Sequence, residues 1–453
     1  MTDILDREDA TRALVNGWRA SEGICRDLAA SAAKWTAEFF APDSAMFIVA
    51  YSNGDKFRPE VDPNATTSDV VLVTKEIELF PQYLAGLDGF GLLRDRVNAC
   101  VKILPDSGLQ KLLPLKSFGP LPLFSVAYLA EALSYSVNPL SSVAYAICIR
   151  RIMFELFKSQ QQHWVQNSDE IHPYVLFHST RALLRLRRLL NNASPASDRT
   201  THETFTKNFA DDGQIKDLLG GVGGAKYDAS KAEEICGVST GTGIFQDQYV
   251  ATITATGPGS AIERAFLFIE GLAFSQSIEE LAKDGSDQNR AADPSVLAFA
   301  LYTLSILNSR RHLSLLGQGV RALADACDHG HFQPGRPFHI DDKGRALAVL
   351  SVEISNALLA IALERVGTAD DAEITAVLDA TKDVEALLAG NTQQVEITGD
   401  RLGSGLRRGW CSDRAPSSYR VDAWVNVHAA LFFLQRLRLL AAVKRRHVLT
   451  RYS

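Results

Sequence analysis

The chain has 453 residues, more than one ordinary core holds, so two or three domains or one large repeat assembly are expected. Hydrophobic residues make up 46% and charged residues 22%, which excludes a disordered or fibrous chain. The net charge of −6 argues against general nucleic-acid binding, and no apolar run reaches the roughly 18–20 residues of a membrane span.

The first residues, Met1-Thr2-Asp3-Ile4-Leu5-Asp6, are acidic and lack the basic start and apolar core of a secretory signal, which predicts a cytoplasmic location. The six cysteines, at 25, 100, 148, 236, 327 and 411, show no Cys-x-x-Cys spacing. In a reducing compartment they read as free thiols, several of them buried.

Residues 10–40 repeat apolar positions with a helical period through Leu14, Trp18, Ile24, Leu28, Ala32, Trp35 and Phe39. Ser21 or Glu22-Gly23 is a candidate break into two helices, and Ala41-Pro42-Asp43 ends the pattern. Met46 to Tyr51 reads as a strand closed by the turn residues Ser52-Asn53-Gly54-Asp55. Val70-Val71-Leu72-Val73-Thr74 is a second β-branched run. The two runs form either a hairpin or two extended segments packed on helices. Residues 1–115 are therefore expected to be a small α+β portion.

From Leu112 to Phe157 the chain is strongly apolar and punctuated by Pro114, Pro120, Pro122 and Pro139. Proline suits a first helical turn and breaks an interior, so helices are expected near 123–136 and 139–158. Another helix spans Asp169 to Leu190, completing a first helical-repeat half over 116–206. Residues 207–260 change character, with Gly220, Gly221, Gly223 and Gly224 followed by five more glycines up to Gly259. No Gly-Lys-Ser/Thr follows, so this is a Gly-rich loop or insertion rather than a phosphate loop.

A second helical-repeat half spans 261–453. Ser260 is a plausible N-cap for a run through Leu281, and Pro294-Ser295 opens the next helix. Asp325 to Asp342 is a His-rich loop. Helices follow from Gly344 to Leu363 and from Asp370 to Leu388. The closing stretch reads Gly409-Trp410-Cys411-Ser412-Asp413, a Pro/Ser turn, then an apolar helix from Val421.

That last helix has an earlier counterpart. Tyr174-Val175-Leu176-Phe177-His178 precedes Trp424-Val425-Asn426-Val427-His428 by 250 positions. At the same offset Leu184, Arg188, Leu189 and Leu190 match Leu434, Arg438, Leu439 and Leu440. An ungapped match suggests two equivalent helices, and recurring helix pairs suggest stacked repeats.

Several helices open alike, with a Pro or Ser turn followed by an aromatic or Val and then small residues. Pro139 to Ala146, Pro173-Tyr174-Val175, Pro294 to Ala298 and Ser418 to Trp424 do so. Together with Gly409-Trp410, these openings resemble the α/α-toroid repeats of the terpenoid cyclase and protein prenyltransferase superfamily. The resemblance implies a mainly α, toroid-like helical body in which a Gly-Trp turn precedes an axis-facing helix. It also implies a place for a proton donor, because class II cyclases in that group use an Asp-x-Asp-Asp motif. His339-Ile340-Asp341-Asp342 is the nearest stretch here, with Asp341 at the acid's place, Asp342 and His339 as tuning partners, and His339 replacing the first Asp. The superfamily's repeated Gln-Trp motifs and its zinc ligand set have no counterpart.

Three other groups carry chemistry. Cys327, His329, His331 and His339 share one loop, but Cys-x-His-x-His is not a common zinc spacing, so no metal is expected. His178 and His428 each follow an aromatic, Tyr174 or Trp424, by one helical turn. They are either paired inward ligand-binding groups or hydrogen-bonded core histidines. Arg181, Arg185, Arg187 and Arg188 form one basic cluster, and Arg436, Arg438, Lys444, Arg445, Arg446 and Arg451 another. Each is a partner surface or a solvated helix face.

The leading expectation is a non-catalytic helical-repeat scaffold that binds a protein partner within a bacterial multi-protein system. Its candidate binding residues are Tyr174, His178, Trp424, His428, Arg438, Arg445 and Arg446. No cofactor is expected, and a small apolar ligand is compatible with a toroid centre. The alternative is a terpenoid-cyclase-like enzyme acting through Asp341.

Overall fold

In the computed structural model the described residues are 2–51, 63–112, 123–135, 148–149, 152, 173–191, 261–282, 293–308, 310–332, 348–389, 392–397, 405–415 and 418–452. They form α1 (Thr2–Glu38), β1 (Phe40–Ala41), β2 (Met46–Phe47), β3 (Val49–Tyr51), α2 (Pro63–Glu78), α3 (Pro81–Leu84), α4 (Phe90–Leu112), α5 (Leu123–Leu133) and α6 (Pro173–Asn191). There follow α7 (Ala261–Ala282), α8 (Pro294–Asn308), α9 (Leu313–Asp325), β4 (Cys327–Asp328), β5 (His331–Phe332), α10 (Ala348–Arg365) and α11 (Asp371–Ala389). The chain closes with β6 (Thr392–Ile397), β7 (Gly405–Ala415), β8 (Ser418–Asp422) and α12 (Ala423–Tyr452). Helix dominates, as expected for a mainly α protein. The Gly-rich stretch 207–260 and most of the helix expected at 139–158 lie outside the described residues.

Two compact units are present. The first comprises Met1–Val61, Val73–Arg96 and Gln276–Ser453; the second comprises Asp62–Leu72 and Val97–Ser275.

In the first unit α1 lies along α12, and α10 packs on both α12 and α8. α1 buries Cys25, Ala29, Ala32, Ala33 and Ala37, one stripe at helical spacing. The expected break at Glu22-Gly23 is absent, and α1 is continuous. An exposed glycine costs about 1 kcal/mol relative to alanine, which burial of the small-residue stripe outweighs.

α8 and α11 have side-chain caps. Asp293 Oδ1 accepts hydrogen bonds from the Ser295 backbone N–H (2.8 Å) and hydroxyl (2.7 Å), while Asp370 Oδ1 accepts from the Glu373 N–H at 2.7 Å. α9 then approaches its neighbours closely because of two glycines. A Cβ on Gly319 would meet Leu301 Cδ1 at 2.0 Å, and one on Gly317 would meet Arg365 Nη2 at 2.5 Å.

Two expectations are corrected here. Gly409-Trp410 was expected in a turn before a helix, but both residues lie within β7 of an antiparallel sheet ordered β3-β8-β7-β6. Trp410 pairs with Thr392 of β6, and its ring is fully buried against Trp35 at a centroid distance of 4.7 Å. Cross-strand pairing and this ring contact hold the segment extended. Val70 to Thr74 was expected to be extended, yet it is helical within α2 and wholly buried. Burial on all sides overrides the weak β preference of branched residues. Consequently β3 pairs with β8, with Ala50 opposite Val421.

In the second unit α5 packs against α6. The final turns of α6 carry its basic cluster. No helix among the described residues is long and apolar enough to cross a membrane.

Candidate binding sites on the helices

The matched segments at 174–178 and 424–428 are both helical, and each puts its aromatic beside its histidine. The Tyr174 and His178 centroids are 4.7 Å apart, those of Trp424 and His428 6.2 Å. Their surroundings differ. Buried His178 is enclosed by Tyr174, Phe177 at 4.9 Å and Tyr128 of α5 at 4.3 Å. On the same face, Arg181 Nε donates to Glu131 Oε1 at 2.9 Å, so an ion pair closes the aromatic cluster. His428 is also buried, and its backbone carbonyl accepts from Asn356 Nδ2 at 3.1 Å, tying α12 to α10. Both histidines therefore lie in helix seams, and Trp424 is half-buried.

The basic residues of α12 have unequal roles. Arg436 is buried; its Nε donates to Glu385 Oε2 at 3.0 Å and its Nη1 to the Leu378 carbonyl at 2.8 Å and to the Thr381 hydroxyl. Arg446 Nη1 donates to the carbonyls of Val366 and Ala369 at 3.0 and 2.6 Å, just beyond the end of α10, where a cation suits the helix dipole. Lys444 reaches Glu22 at 3.4 Å. These side chains fasten α12 to its own unit. Arg445 is exposed.

Arg438 stands apart. Its guanidinium carbon lies 3.4 Å from the Phe80 ring centroid, a stacked cation–π contact. Burial lowers its pKa, and the negative forms of Tyr83, Glu76 and Tyr302 act in the opposite direction. No hydrogen bond or ion pair joins this guanidinium to any described residue. In α6, by contrast, Arg187 pairs with Glu263 at 2.9 Å, and Arg185 lies over the Tyr135 ring at 5.0 Å.

Cys25, Cys100 and Cys327 offer little nucleophilic chemistry. Burial, and then the neighbouring Glu385 charge, push the Cys25 thiol up to about 12; burial pushes Cys327 up to about 11 and Cys100 still higher. A thiol held protonated is a poor nucleophile. Cys327 Sγ instead donates to the Ala380 carbonyl at 3.5 Å. In the His-rich stretch, His329 and Gly330 form a tight turn with φ of 49° and 84° between β4 and β5. His329 is exposed, with Asp328 at 3.6 Å. Among the described residues no group of His, Cys, Asp and Glu is arranged to hold a metal ion. His339, Asp341 and Asp342 lie outside the described residues.

One further surface was not singled out in the sequence. Leu267 and Phe274 of α7 are 64% and 42% exposed. Their spacing of seven places them along one helix face, with Gly271 between them. A Cβ at Gly271 would meet no atom of the described residues within 4 Å. The signal was present as an apolar heptad-like spacing, but the many other apolar residues of α7 mask it. No protein-family model, curated protein or solved structure matches this chain.

Proposed function

We propose that the protein is a non-catalytic binding scaffold whose docking face is the exposed row Leu267, Gly271 and Phe274 on α7. Large apolar side chains left in water at helical spacing supply the observation that carries this reading. Such a row suits the apolar stripe of an amphipathic partner helix. Gly271 argues for the same occupant. Among the described residues it has no packing neighbour, and it costs helix stability, but it lets a second backbone come close. Glu270 borders the row and Glu279 lies exposed farther along α7, so the helix presents negative charge beside the apolar side chains. The partner stripe is therefore flanked by Lys or Arg.

Binding of a lysine-flanked, leucine-striped synthetic helix and of its glutamate-flanked counterpart to the full chain tests this reading by fluorescence anisotropy. The lysine form should bind, and Leu267→Asn with Phe274→Asn should weaken it by about tenfold or more. Equal binding of both peptides, binding by neither, or full binding by the double variant would refute the docking face.

A further inference from the structure

We infer that Arg438 forms an oxyanion site, in which its guanidinium fork takes two oxygens of a carboxylate or phosphate while Phe80 supports the guanidinium plane. The residues come from separate parts of the first unit. Phe80 follows α2, Tyr83 lies in α3, Tyr302 in α8 and Arg438 in α12.

Arg438 has no hydrogen-bond partner among the described residues. A guanidinium has five N–H donors, and an arginine withdrawn from water ordinarily spends them on carboxylates or carbonyls. Arg436, one half-turn earlier, does so with Glu385, Leu378 and Thr381. Arg438 is half-buried, makes no hydrogen bond or ion pair with a described residue, and has no nitrogen shut off from water, so its N–H edge is open to a ligand arriving from solvent.

The guanidinium is also held in one orientation. Stacking on Phe80 at 3.4 Å fixes the guanidinium plane and occupies a face rather than an edge. The N–H edge is the part that matches a planar oxyanion in a paired, parallel geometry. Ring support also reduces the entropy lost when the ligand arrives. A lysine could supply the charge but not this geometry.

Three neighbours bear on the charge of Arg438. Tyr83 and Tyr302 lie near enough for their ionisation to act on Arg438, and a neutral phenol can donate to an oxyanion. Glu76 is near enough to act in the same way and opposes an incoming anion. It forms no ion pair with Arg438. Removing its charge should therefore strengthen oxyanion binding, an effect that a purely structural Arg438–Phe80 contact does not produce.

Titration calorimetry of the full chain with inorganic phosphate and with benzoate, at constant ionic strength set by chloride, provides the test. Saturable binding of either probe is expected, with phosphate alone assigning a phosphate ligand and benzoate alone a carboxylate. Arg438→Lys should weaken binding by about tenfold, and Glu76→Gln should tighten it several-fold. Thermal melting checks the fold of each variant, and Tyr83→Phe gives a milder loss should Arg438→Lys unfold. Absence of saturable binding by both probes overturns the inference. So does binding unaffected by Arg438→Lys in a folded protein, or by both Glu76→Gln and Tyr83→Phe.

Discussion

Arg365 grips Glu373 through two parallel hydrogen bonds, Nε to Oε1 at 2.8 Å and Nη2 to Oε2 at 2.9 Å. Glu373 is 1% exposed, and Arg365 also donates to the Leu313 carbonyl, so one guanidinium joins α10, α11 and the start of α9. Gly317 leaves the room that this guanidinium fills.

Removing Glu373 strands the Arg365 charge away from water, and removing Arg365 leaves buried Glu373 only the longer contact with Arg321 at 3.8 Å. Arg365→Met and Glu373→Leu should each lower unfolding free energy by about 3–5 kcal/mol in urea titrations. The double change Arg365→Met with Glu373→Leu should recover much of that loss, since no buried charge remains. Losses in the single variants that simply add in the double would show that the paired charges are not coupled.

A second prediction concerns Trp410. Its backbone N–H donates to Asn426 Oδ1 at 3.0 Å, and its indole N–H to the Leu388 carbonyl at 2.9 Å. Asn426→Ala leaves a buried backbone donor unpaired and should cost about 1–3 kcal/mol. Asn426→Asp retains an acceptor and isolates the hydrogen bond from side-chain size. Urea midpoints of the two variants should differ; equal losses would assign the effect to burial of a charge or to altered packing.

These two clusters show what sequence reading reaches. Helix starts at Pro173 and Pro294, and the Asp370-x-x-Glu373 start of α11, are local patterns, because a cap and its helix are only a few residues apart. The sheet is different. Thr392 pairs with Trp410 and Ala50 with Val421, and no window along the chain contains these partners. The Gly-Trp pair was visible, but the strand around it was not. Val70 to Thr74 misled in the opposite direction, because local β preference is small beside complete burial. The candidate sites divide similarly. The pairing of Tyr174 with His178 follows from helix spacing, whereas the stacking of Arg438 on Phe80 depends on the folded chain.

Alkaline pH should expose the buried thiol of Cys25. Its pKa rises from 9.0 to about 12 in the folded chain, so the native state retains a proton that the unfolded state loses. Stability contributed by this group is complete below pH 9 and declines as pH rises from 9.0 toward about 12. Cys25→Ala should flatten that decline in stability measured against pH. Below pH 9 the native thiol should react with iodoacetamide far more slowly than a free cysteine. An unchanged alkaline slope in the variant would assign the loss to other groups.

Gly271 separates stability from binding. Its Cβ position is open among the described residues, and alanine favours helix over glycine, so Gly271→Ala should raise unfolding free energy by about 0.5–1 kcal/mol. At a face that another helix approaches closely, the same methyl group holds the two backbones apart. The variant should therefore melt higher while binding the lysine-flanked peptide more weakly. Leu267→Ala should weaken binding without the gain in stability, because it trims an exposed side chain that contributes little to the folded chain itself. Opposite signs for the two properties at Gly271 are the signature of a residue kept for a partner. A stabilised variant with undiminished peptide binding would place the contact elsewhere on α7.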